Sequence, residues 1–447
     1  MGGKRHPDGV ATYEATPEQL QAFDQAGARL GEFDAPLLLR ENSDDRLFLA
    51  AFDGSGNSLY RDPPDRHTNV VWIYQQVLQA NRQGRDNIAA RYVEGVGTQG
   101  GLSGTVDLIT GRTYQARLEE MYLRFIRQAK DWLDANPGAD IRLASIGFSR
   151  GAEQAAGFTR LVEQRGIQNP ERADVVRGRD GLIDRIVFTA PPLREPGSVV
   201  QAIGLFDPVG TGTPLRHDRR PASSVVSGYQ LTAEDERRNP FAGTRITDPG
   251  ITFDGRFQHD HLPGSHSDMG GGYEKNGLSI RAGNLMANYL NALAEEPYLA
   301  LRPVPDDPAM NVIHRSEQHF ALYRTSQFDR NGVRSHRDEL APPALCRIDC
   351  RDAEPRNEAM AASLQWRQVA IAPAPAAPAL AASGPVERML EAARRNDART
   401  IHLVSRDFLE GSAGQAWLEA GEERLRAMEA ARAEERQRAA EAVELQR

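Results

Sequence analysis

The chain has 447 residues with 62 acidic and 54 basic side chains, a formal net charge of −8 that excludes a nucleic-acid binder working through an overall positive field. Hydrophobic residues make up 40% and charged residues 26%, which excludes global disorder. No apolar run approaches the roughly 18 residues of a bilayer-spanning helix, and the opening stretch MGGKRHPDGVATYE lacks the apolar segment of a signal peptide, so export would need a dedicated machine.

Residues 1–45 are polar apart from Leu37, Leu38 and Leu39, and read as a loosely structured lead-in. Residues 46–52 (RLFLAAF) form a compact apolar run that stops at Asp53 and Gly54, the pattern of a buried parallel strand ending in a functional loop. From Tyr114 the apolar residues Leu118, Met121, Tyr122, Phe125, Ile126, Ala129, Trp132 and Leu133 recur at helical spacing, until Asn136, Pro137 and Gly138 end the helix. A strand over 141–146 and a helix over 151–162 follow, with strand candidates at 186–188 and 199–206. This alternation predicts an α/β fold, a mostly parallel sheet with helices on both faces.

Between residues 208 and 261 the pattern breaks into Arg-, Asp- and Pro-rich sequence, expected to be a loop-rich insertion and lid. Leu285, Met286, Tyr289, Leu290 and Leu293 mark one more helix. Beyond about 330 the patterning fades into an irregular extension over 331–371, a Pro/Ala linker over 372–384, and a tail over 385–447 that is strongly helical by propensity. Cys346 and Cys350 allow one local bridge, and no His or Cys cluster beside them completes a zinc site.

Gly147-Phe148-Ser149-Arg150-Gly151 matches G-x-S-x-G between a predicted strand and a predicted helix. Such a turn holds a serine strained with its hydroxyl exposed, and the following helix aims amides and the positive end of its dipole at a developing oxyanion. The plain alternative is an ordinary tight turn. A hydroxyl needs a base, and the base needs a group that fixes its tautomer. Asp207 ends the apolar run 203–206, and His266 lies in Gly264-Ser265-His266-Ser267-Asp268-Met269-Gly270-Gly271-Gly272-Tyr273. The order Ser149, Asp207, His266 is that of an α/β-hydrolase triad. His259 and His261 compete for the base, and the glycine-rich context favours His266. The small-residue loop Asp53-Gly54-Ser55-Gly56-Asn57 supplies a second oxyanion donor at Gly54 beside the amide of Arg150, with Asp53, Asn57 and Asp268 in support; it fits neither phosphate-loop nor dinucleotide fingerprints. Asp248, Asp254, Asp260 and Asp268 fit no EF-hand spacing and read as solvated loop residues, so no metal and no cofactor is expected.

These segments, with Thr68-Asn69-Val70, Gly95-Val96-Gly97-Thr98 and Asp235-Glu236-Arg237-Arg238, occur in an order that resembles the catalytic domain of the type VI secretion phospholipase effectors of the first lipase family. The resemblance spans about residues 46–295. It implies an α/β-hydrolase catalytic domain over 46–330 and a serine esterase acting on membrane phospholipid, with Ser149 as nucleophile, Asp207 as acid and His266 as base. It further implies an antibacterial effector made in the cytoplasm and exported to a target cell, with a secretion adaptor and an immunity protein as partners. Pro208 and the short 208–265 segment depart from the family pattern. An esterase or thioesterase on a soluble substrate, and a non-catalytic docking module, are the competing readings.

Overall fold

The computed structural model describes residues 8–95, 113–179, 181–319, 334–346 and 349–375, with 389, 404–406, 408–409, 411 and 414–415 beyond them. The chain divides into two compact units, 1–375 and 376–447. The first contains the elements that follow. Most of the expected helical tail, most of the Pro/Ala linker and residues 96–98 of the Gly95 motif lie outside the described residues.

In chain order the elements are β1 (Thr12–Glu14), α1 (Pro17–Gly31), β2 (Asp34–Pro36), β3 (Asp45–Phe52), α2 (Asn69–Arg82), β4 (Ile88–Val93), α3 (Tyr114–Ala135), β5 (Asp140–Phe148) and α4 (Arg150–Arg165). Then come β6 (Ala173–Arg177), β7 (Ile183–Phe188), β8 (Gln201–Phe206), β9 (Val225–Ala233), β10 (Gly243–Thr244), β11 (Gly250–Ile251) and β12 (Phe257–Leu262). The described part closes with α5 (His266–Gly270), α6 (Gly277–Ala292), β13 (Val312–His314), β14 (His336–Arg337), α7 (Glu358–Ala362) and β15 (Trp366–Gln368).

Seven strands make the central sheet in the order β11-β12-β9-β8-β5-β3-β4, parallel except for the β11–β12 edge. Alternate side chains of β3 feed two separate cores. Leu47, Leu49 and Ala51 pack with α1, α2 and α6, whereas Phe48, Ala50 and Phe52 pack with α3 and α4. The strand order reverses where β4 and β5 leave opposite sides of β3, and open α/β sheets place their ligand crevice outside the carboxyl ends at such a point. No helix among the described residues is long and apolar enough to cross a membrane.

The structure departs from the expected pattern in the lead-in, in 208–261, at β7 and in the 331–371 extension. Residues 17–31, within the expected loose lead-in, form α1, capped reciprocally by Thr16 and Gln19, with Phe23, Ala26, Gly27 and Leu30 buried. The small residues Ala26 and Gly27 on that face weaken its hydrophobic periodicity. The segment 208–261 supplies three strands of the central sheet, β9, β11 and nearly all of β12, and all nine residues of β9 are buried. Polar side chains of β9 find partners: Gln230 donates to Thr244 O, and Tyr229 donates to Asp260, which also accepts from Arg29. Finally, β7 pairs only with β6 in a two-stranded sheet of its own. In the 331–371 extension, β14 pairs with β10 and β15 pairs with β2, while Cys346 and Cys350 are bridged.

Candidate active site

Ser149 connects β5 to α4 with φ 59° and ψ −126°, a conformation unfavourable to any residue with a side chain. Three non-glycine residues among those described have positive φ, and two of them are Ser149 and Asp207, the latter at 39°. The flanking glycines explain why the turn closes. A Cβ on Gly147 would strike the Gly151 carbonyl, and one on Gly151 would strike the carbonyls of Phe52 and Asp53. Backbone bonds fasten Ser149 across the end of β8: its amide donates to Phe206 O at 3.0 Å, and its carbonyl accepts from Val209 N at 3.3 Å. Asp207 lies between those two partners.

Asp207 is fully buried and faces His266 Nδ1 through Oδ2 at 2.5 Å. His266 opens α5, behind a capping box in which Asp268 accepts from both the amide and the hydroxyl of Ser265. Its amide donates to Glu236 Oε2 at 3.2 Å, and its ring lies between Phe148 at 4.5 Å and Phe241 at 5.1 Å. Phe148 immediately precedes the serine, so the imidazole packs on the strand that presents the hydroxyl. A Cβ on Gly270 would penetrate the Phe148 ring, which explains one glycine of the motif.

Of the competing histidines, His259 is committed by hydrogen bonds, whereas His261 makes ring contacts. His259 is engaged by Thr232 Oγ1 at 2.8 Å and Thr247 O at 2.9 Å. The His261 ring meets His259 edge-on at 4.6 Å and His336 at a tilt at 5.1 Å.

Charge is arranged to keep Asp207 ionised and His266 neutral. Burial alone would raise the Asp207 pKa, but the Arg334 guanidinium and the His266 hydrogen bond bring it well below the usual carboxylate range. Burial lowers the His266 imidazole below its ordinary value against the pull of Asp207. Glu236, likewise pushed up by burial, is brought down to about 2 by Arg238, which it holds at 2.9 Å.

The 53–57 loop is fixed from inside. Asp53 accepts from Tyr92 Oη at 2.5 Å, from Thr68 Oγ1 at 2.8 Å and from the Gly54 amide at 2.7 Å, so the Gly54 hydrogen is already directed at a carboxylate. Burial pushes Asp53 up to about 6. Asn57 closes the turn through its amide to Gly54 O, and Arg150 Nε reaches Ser55 Oγ at 2.5 Å, which joins the loop to the start of α4.

Asp268 does not stand in a solvated loop. It meets His314 Nδ1 at 2.6 Å, and His314 Nε2 meets Asp8 at 3.1 Å. Asp260 is also buried, and no cluster of His, Cys, Asp or Glu among the described residues is placed to hold a metal ion. Sequence reasoning missed Arg334, His314 and Asp8, because each meets the site across a chain separation that no local pattern encodes. Glu236 and Arg238 carried a weaker signal in the Asp235–Arg238 motif.

Residues 46–178 match the family model described as T6SS, phospholipase effector Tle1-like, catalytic domain, the family that the motif order resembles. A comparison with curated proteins gives no match. Among solved structures, the Tle1 effector bound to the VgrG spike from the type 6 secretion system is 21% identical at a TM-score of 0.32, over 54% of this chain and 52% of that one. The chain thus spans about half the length of that effector. An uncharacterized protein from Pseudomonas aeruginosa is 17% identical at a TM-score of 0.36, over 89% of this chain and 64% of its own. The apo form of Thermogutta terrifontis esterase 2 is 13% identical at a TM-score of 0.28, over 57% of this chain and 88% of its own.

Proposed function

We propose that the chain is a serine esterase that hydrolyses membrane phospholipid, with Ser149 as nucleophile, His266 as general base and Asp207 as the residue that orients it. The observation that carries the reading is the pairing of a strained Ser149 at the end of β5 with a buried Asp207–His266 contact of 2.5 Å at the end of the neighbouring strand. The family match over 46–178 supports the phospholipase class.

In the proposed reaction His266 Nε2 takes the Ser149 proton as the oxygen attacks an ester carbonyl. The tetrahedral oxyanion receives the Arg150 amide and an amide of the 53–57 loop other than that of Gly54, which Asp53 engages. The imidazolium then returns the proton to the departing lysophospholipid alcohol, and water, activated by the same imidazole, releases the fatty acid. Asp207 stays ionised throughout. The same family match supports export by a type VI machine; we further propose an antibacterial role, a secretion adaptor as carrier and an immunity protein in the producing cell.

The test is fatty-acid release from vesicles of defined phospholipid. Ser149→Ala should lose at least about a thousandfold in rate while remaining folded, since removal of a nucleophile leaves only binding and the oxyanion donors. Parent-like release by that variant would refute the assignment. A parent that hydrolyses soluble esters and ignores vesicles would instead limit the substrate to small molecules.

A further inference from the structure

Four donors converge on the two oxygens of Asp207. Oδ1 accepts from the Ala233 amide at 3.0 Å and from Arg334 Nη1 at 2.6 Å, while Oδ2 faces His266 Nδ1 at 2.5 Å and Arg334 Nη2 at 3.1 Å. The guanidinium is buried and held in turn by the carbonyls of Ala233 and Phe241. Arg334 arrives 127 residues after Asp207, carried in by the parallel β10–β14 pair that begins two residues later. A carboxylate gripped at both oxygens by a planar fork cannot turn about its own bond without losing two charge-assisted hydrogen bonds. Any such turn would carry Oδ2 away from the imidazole.

We propose that Arg334 is a positioning residue for the His266–Asp207 pair, locking the plane of the carboxylate against the imidazole and offsetting the negative charge that would otherwise favour the imidazolium. The proposal rests on the serine-esterase reading above. A base must be neutral to accept the Ser149 proton, and an uncompensated buried aspartate at its other nitrogen favours the charged ring. The remaining ionisable groups around the pair do not duplicate this role. Glu236 and Arg238, on the side of the His266 amide, form an ion pair with each other. His314 is taken up by Asp8 and Asp268, while His319 bonds the Tyr273 hydroxyl. Burial lowers the His261 and His336 imidazoles, and Arg245 lowers both further while Asp207 pulls the other way. Arg334 exchanges no proton: the proton moves from Ser149 to His266 and on to the leaving alcohol, and the guanidinium stays charged.

The experiment compares the parent with Arg334→Gln and Arg334→Lys in the full chain. It reads the titration of the His266 ring by NMR and the pH dependence of p-nitrophenyl butyrate hydrolysis. In Arg334→Gln the His266 midpoint should rise by about one unit, the acid limb of kcat/KM should move up with it, and kcat at neutral pH should fall about tenfold with KM within about twofold. Arg334→Lys keeps the charge without the fork, so its midpoint should stay near the parent's while kcat still falls. An unmoved midpoint and parent-like kcat in Arg334→Gln overturn the proposal. If the glutamine variant fails to fold, the lysine variant decides, and a parent-like kcat there overturns it equally. A parent inactive on every ester, whose His266 midpoint still moves on substitution, would refute the esterase reading while upholding the action of Arg334 on the pair.

Discussion

Ser149 and Asp207 hold φ of 59° and 39° at the ends of adjacent strands, and residues persist in that region only where the surroundings impose it. Replacing Ser149 by glycine should therefore relieve strain and stabilise the fold by about 1 kcal/mol relative to Ser149→Ala, with both variants inactive; thermal unfolding of the pair checks it. Gly147→Ala should act in the opposite direction. Its methyl must displace the Gly151 carbonyl, so a loss of about 2 kcal/mol or more is expected in denaturant unfolding, with activity lost as the turn opens. The Asp8–His314–Asp268 chain has a pH signature. The Asp8 and Asp268 hydrogen bonds outweigh burial and raise the His314 pKa above 6.5, so its contribution is complete below that value and fades as pH climbs through the folded-state pKa. Asp8 is pushed up by burial but brought lower overall by the His314 hydrogen bond, so its contribution is complete above 3.8 and fades as pH falls through its folded-state pKa. The stability gap between the parent and His314→Gln should thus be widest between about pH 4 and 6.5 and should narrow as pH climbs through the folded-state pKa of His314.

At the scale of elements, α1 depends on its cap, since Thr16 accepts from the Gln19 amide while Gln19 returns a bond to the Thr16 amide. Thr16→Ala should cost about 1 kcal/mol in chemical denaturation and leave hydrolysis unchanged, because the helix packs on the face opposite α4. The long amphipathic face of α3 and the apolar runs of β3, β5 and β8 were legible, because burial on both sides of a parallel strand leaves continuous hydrophobic sequence. β9 and β12 were not. Val225–Ala233 and Phe257–Leu262 bury Gln230, Gln258, His259 and Asp260 among their apolar residues, and such polar side chains read as loop until their partners are known. Of the candidate site, the serine and the histidine were singled out because a strained turn and close backbone approach demand glycine nearby, and the aspartate because it ends an apolar strand. Arg334 was not, since a guanidinium among many surface arginines has no local mark.

For the molecule as a whole, the unit over 1–375 contains Ser149, Asp207, His266 and Arg334 together. Ending the chain after residue 375 should leave turnover of a soluble ester at the parent rate, whereas ending it before residue 334 should reduce turnover at least about tenfold, measured on proteins of matched concentration. The domain limits expected from composition placed the 331–371 extension outside the catalytic unit. Long-range pairing of β14 with β10 and of β15 with β2 joins it to that unit, and residue patterning along one stretch cannot anticipate pairing across the chain.

Arg334 reaches Asp207 from 127 residues downstream. On the ribosome, the serine, the aspartate and the histidine therefore all emerge well before the guanidinium that completes their geometry. On the proposed reading, a nascent or prematurely terminated chain that stops short of residue 334 would carry every reacting group and still turn over slowly.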